Sequence, residues 1–437
     1  MKKVFGIVIL SLFFSGNAYA EISEFQFKNK VSAFNKWLYQ NGHYDLVEKV
    51  ENENMILYKN KYEIYNYPER HFIPEENPKP RPNYMTLAYE FFRYSIFEKP
   101  KSMKYSINPS KTSYKFQSNL IEEKYIDKQL NKSGLLSYLY FENGEIKIDK
   151  ISPKNRFGKF IDDDTKFRSN SVGKTMVSYV VGHAICEGYI ESIDSKVNDW
   201  PLVENTLYHN QKLIDLLNFR AGDQKYTWDY FFVNPKYFKA NEGRNIETFL
   251  NLEFKNSKKS KAQFNYSSFL ANLLLNYVVF KTDENFEELL EKIFKEKVKI
   301  ENEVFFSKVG GSKLMGNADN MFYATRYDYL RIAKAMLDDW QNDTCVGKYL
   351  KTIFERKEKK GNQRKPVNFP YARSYAGMFQ TNYELIPKKR PVMGMHGYGG
   401  QHIVIDFENS RIVVANSIHE NWDAKKIIYS KIRKGIN

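Results

Sequence analysis

A serine and a lysine stand three residues apart between Arg168 and Met176, as Ser171 and Lys174. On a helix, positions i and i+3 share one face, so this hydroxyl and this amine could touch. A serine hydroxyl is a weak nucleophile until an adjacent base or a positive field activates it. Burial favours the neutral form of a lysine, which can then accept a proton. The spacing therefore indicates nucleophilic catalysis by Ser171 with Lys174 as its base.

The same spacing has a structural interpretation. Serine is a common first residue of helices because its side chain caps free N–H groups, and Lys174 would then be an exposed lysine. Ser171 is the only serine in the chain with a lysine three positions later, so no second Ser-x-x-Lys segment competes with it as the candidate. The spacing alone leaves both interpretations open.

A Tyr-x-Ser triplet, Tyr266 and Ser268, stands at the head of a second predicted helix. A tyrosine close to ammonium groups gives up its proton more readily and can serve as a general base or proton relay. The alternative is a tyrosine that only packs at a helix start, in a chain with 32 tyrosines. Tyr266 is therefore a candidate relay for the hydroxyl of Ser171.

A glycine-rich segment, Gly394 to Gln401, leads into the last predicted hairpin. Glycine in a strand lets another backbone approach closely, as the backbone of a substrate would. The N–H group of Tyr398 could form half of an oxyanion hole, with the N–H group of Ser171 as the other half. The alternative is a turn that merely connects two strands.

The elements that must position these residues are two hairpins with helices between them. Strand-like runs, Leu135 to Phe141 and Glu145 to Ile148, flank an Asn-Gly turn, and Gln401 to Ile405 and Arg411 to Asn416 flank a polar turn. Helical spacing of apolar residues predicts three helices, Lys174 to Gly188, Tyr266 to Phe280 and Met321 to Trp340. This order predicts an α+β fold in which both ends of the domain build one antiparallel sheet.

The order Ser-x-x-Lys, Tyr-x-Ser and glycine-rich strand resembles the class C β-lactamase superfamily. That superfamily includes penicillin-binding DD-peptidases, related esterases and the 6-aminohexanoate-dimer hydrolases. The resemblance runs from about Gly134 to near the C-terminus. Four further segments are similar to family patterns: Ala184 to Ile190, Asp194 to Val197, Leu216 to Gly222 and Ala324 to Arg331.

The resemblance implies a β-lactamase/transpeptidase-like fold, with an antiparallel sheet flanked by helices and a mainly helical subdomain. It implies acyl transfer at Ser171, with Lys174 and Tyr266 moving the proton, and it implies no cofactor or metal. The residues that fall where the family contacts the substrate or the oxyanion are Ser268, His396, Gly397 and Tyr398.

The third motif departs from the family pattern. It is usually Lys-Thr-Gly or His-x-Gly, whereas this chain has Met395 where the cation would stand, followed by His396 and Gly397. His396 is then either a substrate contact or only a neighbour of the site. Ser268 replaces the asparagine of typical β-lactamases, and no acidic residue can be assigned to the water that releases the acyl group. The ending Gly-Tyr-Gly-Gly-Gln looks most like the 6-aminohexanoate-dimer hydrolase branch.

Three functions are compatible with these residues. The first is an esterase or amidase that acts on a small acylated substrate or peptide. The second is a penicillin-binding DD-peptidase or a β-lactamase, and the third is a non-catalytic binding protein that kept the fold. Because Ser171, Lys174 and Tyr266 are all present, the sequence favours an enzyme.

The first twenty residues are typical of a secretory signal. Lys2 and Lys3 precede the apolar run Val4 to Phe14, and Ala18-Tyr19-Ala20 provides small residues for cleavage before Glu21. We expect a periplasmic or secreted protein, with an uncleaved anchor as the alternative. No later segment is apolar for long enough to cross a bilayer. Residues 21–132 are then an N-terminal extension of unknown role, interrupted by a proline-rich stretch at 77–82, and residues 133–437 form the hydrolase domain.

The net charge of +15 comes from separate basic stretches, Lys255 to Lys261, Arg356 to Lys365 and Lys388 to Arg390. Scattered stretches favour solvated loops over a nucleic-acid-binding surface, and a preference for anionic substrates stays open.

Cys186 and Cys345 could pair in an oxidising compartment or could be two buried thiols. Zinc is not indicated, because no cysteine pair or His-x-x-x-His spacing accompanies them. The oligomeric state is not indicated either.

Overall fold

The computed structural model describes Tyr39 and residues 101–226, 246–309, 317–360 and 372–436. The predicted signal segment, 1–20, and the proline-rich stretch, 77–82, lie outside the described residues. The strands are β1 (Lys104–Ile107), β2 (Gln117–Ser118), β3 (Leu135–Glu142), β4 (Glu145–Ile151), β5 (Lys166–Arg168), β6 (Val304–Lys308), β7 (Ala318–Thr325), β8 (Glu358–Lys359), β9 (Ala372–Ala376), β10 (Phe379–Tyr383), β11 (Val392–Gly397), β12 (Gln401–Asp406) and β13 (Arg411–Ser417). The helices are α1 (Lys124–Lys132), α2 (Val172–Cys186), α3 (Leu213–Leu217), α4 (Ile246–Phe249), α5 (Ser268–Thr282), α6 (Phe286–Leu290), α7 (Arg326–Gln341), α8 (Cys345–Glu355) and α9 (Ser430–Lys434).

The larger sheet has nine strands in the order β2-β4-β3-β13-β12-β11-β10-β9-β8. Both predicted hairpins are confirmed as β3–β4 and β12–β13, and β3 pairs with β13 so that the two ends of the domain meet. Neighbouring strands are antiparallel except β2 and β4. Together with the helices that lie between the hairpins, this arrangement confirms the predicted α+β fold.

Both faces of this sheet are covered. Along β12, Ile403 and Ile405 pack in a large apolar cluster with α2, α5 and α7, whereas Val404 packs in a smaller cluster with α1 and the C-terminal segment. Alternate residues of a strand point to opposite faces, so a strand in this position is apolar on both sides. The larger cluster is the one on which the candidate site is built.

A second, four-stranded sheet in the order β1-β6-β7-β5 was not predicted. The predicted helix Met321 to Trp340 was wrong at its start, because the residues up to Thr325 belong to β7 and pair with β5 and β6. Helix α7 begins at Arg326, where the Thr325 hydroxyl accepts a hydrogen bond from the Asp328 N–H. This cap fixes the boundary between strand and helix.

The described part of the N-terminal extension contributes to both sheets. Strand β1 pairs with β6, and β2 pairs with β4. Helix α1 buries Ile126 and Leu130 in the smaller apolar cluster, beside Tyr138 of β3. Residues 104–132 therefore pack on the domain predicted for 133–437.

Cys186 and Cys345 form a disulfide bond, which settles the pairing that the sequence left open. The bond joins the last residue of α2 to the first residue of α8, across 159 positions of sequence. Within the described ranges, no helix is both long and apolar enough to cross a membrane.

Candidate active site

Ser171 lies in a tight turn between β5 and α2. Asn170 before it has a positive φ of 49°. Ser169 makes two hydrogen bonds to Phe322 of β7: its N–H donates to the Phe322 carbonyl at 2.7 Å, and its hydroxyl accepts from the Phe322 N–H at 2.8 Å. Gly173 on the first turn of α2 lies against the carbonyl of Asn320, where a Cβ atom would clash. The start of α2 is therefore held firmly against β7.

The side chain of Ser171 caps no N–H group of α2, so the interpretation as a helix cap was wrong. Lys174 is buried, with 1% of its surface exposed, which also contradicts the expectation of an exposed lysine. Its Nζ donates a hydrogen bond to Ser171 Oγ at 2.9 Å. The predicted contact between hydroxyl and amine is present.

Tyr266 completes the cluster from the other side. Its hydroxyl donates to Ser171 Oγ at 2.8 Å, and Lys174 Nζ lies 4.9 Å from the centre of its ring. Helix α5 begins two residues later than predicted, at Ser268, and the Ser267 hydroxyl caps it by accepting a hydrogen bond from the Phe269 N–H. Tyr266 thus precedes the helix. The Lys174 amine and the Tyr266 phenol therefore both form hydrogen bonds to the Ser171 hydroxyl oxygen.

The glycine-rich segment touches the turn that carries the nucleophile. A Cβ atom at Gly397 would clash with the carbonyl of Ser169 and would lie 3.2 Å from the Ser171 N–H nitrogen. Asn170 Nδ2 donates to the Tyr398 carbonyl at 2.8 Å. The backbones of Ser171 and Tyr398 therefore run side by side, as two donors to one oxyanion require. Their role as those donors stays a prediction.

The remaining predicted residues lie around this cluster. Met395 is buried in the larger apolar cluster, and Ser268 is half-buried at the first position of α5. His396 bonds to Glu420 Oε1 through Nε2 at 2.7 Å and stacks on His402 at 4.1 Å. Burial lowers the pKa of His396 to about 3, and the Lys360 ammonium adds to this effect. The imidazole is therefore neutral, and its contact with Glu420 is a hydrogen bond rather than an ion pair.

The sequence did not indicate two residues beside the site. Tyr375 on β9 packs 5.9 Å from the ring of Tyr266, and Lys360 Nζ lies 5.2 Å from the ring of Tyr375. Lys360 belongs to a basic stretch that was predicted as a solvated loop, yet only 8% of its surface is exposed. No local pattern distinguishes a buried lysine from its solvated neighbours, so this part of the site depends on the tertiary fold.

Two further features bear on the chemistry of this cluster. Across the described ranges, no three His, Cys, Asp or Glu side chains are grouped so that they could hold a metal ion. The start of α2 adds a positive helix end at Ser171, which favours negative charge that develops near its N–H group. The arrangement places two groups that could accept a proton beside one hydroxyl, and its capacity to hold an oxyanion stays a prediction.

No family model matches the chain, and no curated protein matches it either. Among solved structures, a Bacillus anthracis protein provisionally named a 6-aminohexanoate-dimer hydrolase superposes with a TM-score of 0.56 at 13% identity. This match covers 82% of the present chain and 96% of the other. A D-stereospecific amidohydrolase from a Streptomyces species gives a TM-score of 0.51 at 14% identity and covers 72% and 100%. The chain therefore has the β-lactamase/transpeptidase-like fold that its motif order predicted.

Proposed function

We propose that the protein is an exported serine hydrolase of the esterase or amidase type, which works through an acyl-enzyme on Ser171. One observation carries the proposal. Lys174 Nζ and Tyr266 Oη both lie within hydrogen-bond distance of Ser171 Oγ, at 2.9 and 2.8 Å. A serine held between two proton-transfer groups at a helix start is an activated nucleophile.

In the first half of the reaction, Ser171 Oγ attacks the carbonyl carbon of the substrate. Its proton passes to the Lys174–Tyr266 pair, and the N–H groups of Ser171 and Tyr398 hold the oxyanion. Collapse of this intermediate breaks the bond to the leaving group, which receives its proton from Tyr266. An ester and an amide differ mainly in this step, because an amine leaves only when protonated.

In the second half, water attacks the acyl-enzyme. The Lys174–Tyr266 pair, now free of its proton, accepts one from the water, and the oxyanion again lies between the two N–H groups. Collapse returns the proton to Ser171 and releases the acid. The same groups therefore serve both halves, and the scheme uses no further side chain.

Two observations support export. Residues 1–20 have the charge and apolar pattern of a secretory signal, and Cys186 is bonded to Cys345. Structural disulfides persist in oxidising compartments such as the periplasm and are rare in the cytosol. A periplasmic or secreted enzyme is consistent with both.

The names of the similar structures, a 6-aminohexanoate-dimer hydrolase and a D-stereospecific amidohydrolase, favour a small acylated substrate. Met395 in place of a cation and Ser268 in place of an asparagine disfavour a DD-peptidase or β-lactamase.

Labelling experiments separate the three functions. A fluorophosphonate probe should label the wild-type protein and not Ser171→Ala, and wild type should turn over p-nitrophenyl esters. Stable labelling by fluorescent penicillin would instead indicate a DD-peptidase or β-lactamase. A protein with neither label nor turnover would be a binding protein, and the proposal would be wrong.

A further inference from the structure

Asn170 joins the two backbones that meet at the nucleophile. It comes directly before Ser171 in the chain, and its side-chain Nδ2 donates a hydrogen bond to the Tyr398 carbonyl at 2.8 Å. Ser171 and Tyr398 are the two residues whose N–H groups would hold the oxyanion. One buried side chain therefore connects the turn that carries the nucleophile to the residue that carries the second proposed donor.

The backbone of Asn170 fixes the direction of this side chain. Its φ of 49° lies in the left-handed region, which asparagine adopts more readily than most residues. The Asn170 carbonyl accepts hydrogen bonds from the Ser169 hydroxyl at 3.1 Å and from the Gly173 N–H at 3.0 Å. Ser169 is itself bonded to β7, as described above. The amide of Asn170 therefore projects toward Tyr398 from a turn that is held in place.

Tyr398 lies in the turn between β11 and β12, where glycine gives the backbone additional freedom. The turn closes with a hydrogen bond from the Gly400 N–H to the Gly397 carbonyl at 3.1 Å. Gly399 and Gly400 have φ values of 78° and 91°. Because glycine adopts positive and negative φ about equally readily, a turn of this composition is poorly fixed by its own residues. The hydrogen bond from Asn170 restrains the peptide group that joins Tyr398 to Gly399.

We propose that Asn170 is a positioning residue for acyl transfer at Ser171, which holds Tyr398 where its N–H group completes the oxyanion hole. This role rests on the proposed function. Donors to an oxyanion stabilise the transition state most when they are fixed in advance. A misplacement of about 1 Å can cost roughly 100-fold in rate. Loss of the Asn170 amide should therefore slow the reaction by loosening one donor, while the nucleophile and its proton-transfer partners are kept.

Two substitutions separate the amide of Asn170 from its backbone conformation. Asn170→Gly removes the side chain and keeps a residue that tolerates positive φ. Asn170→Asp keeps the shape of the side chain and replaces the donor with an acceptor that faces the Tyr398 carbonyl. Asn143→Gly and Asn143→Asp are the matched controls, because Asn143 is exposed and has a φ of 51° in the β3–β4 turn.

The test is kcat/KM for p-nitrophenyl butyrate, together with the inhibition constant of propylboronic acid, which carries the same alkyl chain. The boron atom accepts an electron pair from Ser171 Oγ and becomes tetrahedral, while the proton of Ser171 passes to the Lys174–Tyr266 pair. One boron-bound oxygen then occupies the place of the oxyanion. The affinity of this transition-state analogue therefore reports on the oxyanion hole without a leaving group. Thermal melting checks that each variant is folded.

We expect both Asn170 variants to lower kcat/KM by about 10–100-fold and to weaken inhibition by propylboronic acid by a similar factor. Both Asn143 variants should match wild type in the two measurements. This parallel loss is the result that a purely structural role for Asn170 would not produce in folded protein.

Several results would overturn the proposal. Unchanged kcat/KM in the folded Asn170 variants is one, and a loss confined to one of the two substitutions is another. A loss of kcat/KM without a matching loss of boronic acid affinity, or a wild type that turns over the ester without binding the boronic acid, would place the effect outside an oxyanion hole. Loss of the folded state in both variants would show a structural role. Failure of the proposed function is distinguishable, because Ser171→Ala would then turn over the ester as fast as wild type.

Discussion

At the scale of single residues, Ser171 Oγ accepts hydrogen bonds from two side chains of different chemistry. Lys174 reaches it from one helical turn further along, and Tyr266 reaches it from the segment before α5. Lys174 is almost fully buried. Burying an amine costs free energy unless the amine is hydrogen-bonded. The three side chains are therefore expected to act as one unit.

The first prediction concerns the two partners of Ser171. Lys174→Met and Tyr266→Phe should each lower kcat by about 10²–10⁴-fold, because each removes a group that transfers the proton in the transition state. The double variant should lose much less than the product of the two losses, since the groups act together. Steady-state kinetics on a p-nitrophenyl ester measures this, with thermal melting as the control for folding. Either single variant retaining more than a tenth of the activity would contradict the scheme.

The residue scale also shows what sequence reasoning can reach. Ser171 and Lys174 were predicted from a local spacing, because i and i+3 meet on any helix. Tyr266 was predicted as a candidate relay from its Tyr-x-Ser triplet, but the spacing could not show its contact with Ser171, since nothing local links positions 95 residues apart. Lys360 and Tyr375 were missed, because their contact with the site depends on the pairing of strands β8 to β11.

At the scale of elements, the site depends on backbones that approach too closely for side chains. Gly173 on α2 lies against β7, and Gly397 at the end of β11 lies against Ser169 and Ser171. Three elements therefore meet at the nucleophile, and glycine permits the contact in two places.

The boundaries of these elements were harder to predict than their existence. The strand β7 runs directly into α7, and the apolar residues of β7 were predicted as part of the helix.

The second prediction concerns Gly397. In Gly397→Ala, the added Cβ would meet the backbone carbonyl of Ser169, so the turn that carries Ser171 must shift. We expect kcat to fall at least tenfold and stability to fall by about 1–3 kcal/mol. Denaturant unfolding and kinetics on the same preparation measure both effects.

Gly144→Ala is the matched control for that variant. Gly144 lies in the β3–β4 turn with a φ of 90°, and nothing stands within 4 Å of a Cβ built there. This variant should lose stability through backbone strain and keep its kcat. Equal losses of kcat in the two variants would show that the approach of β11 to Ser171 is not what matters.

At the scale of the whole molecule, one disulfide and the pairing of β3 with β13 tie distant parts of the chain together. The predicted hairpins account for β3, β4, β12 and β13 of the nine-stranded sheet, because local alternation defines each of these strands. The small sheet could not be predicted in this way. Strands β6 and β7 are neighbours in the chain, but the pairing of β1 with β6 and of β5 with β7 depends on long-range contacts.

The third prediction concerns the disulfide between Cys186 and Cys345. Reduction should destabilise the folded protein by about 2–4 kcal/mol, because the bond restricts a long loop of the unfolded chain. Thermal melting with and without a reductant measures this, and a variant with both cysteines changed to serine should melt at the lower temperature in both conditions. A wild-type protein with the same melting temperature in both conditions would contradict the prediction.

The most direct measurement of the central claim is the position of the covalent adduct. After treatment with a fluorophosphonate, digestion after Arg168 and Lys174 releases a short peptide that contains Ser169 and Ser171. Fragmentation of this peptide in a mass spectrometer should place the adduct on Ser171 in wild type, and Ser171→Ala should carry none. An adduct on another residue, or one that persists in Ser171→Ala, would contradict the account.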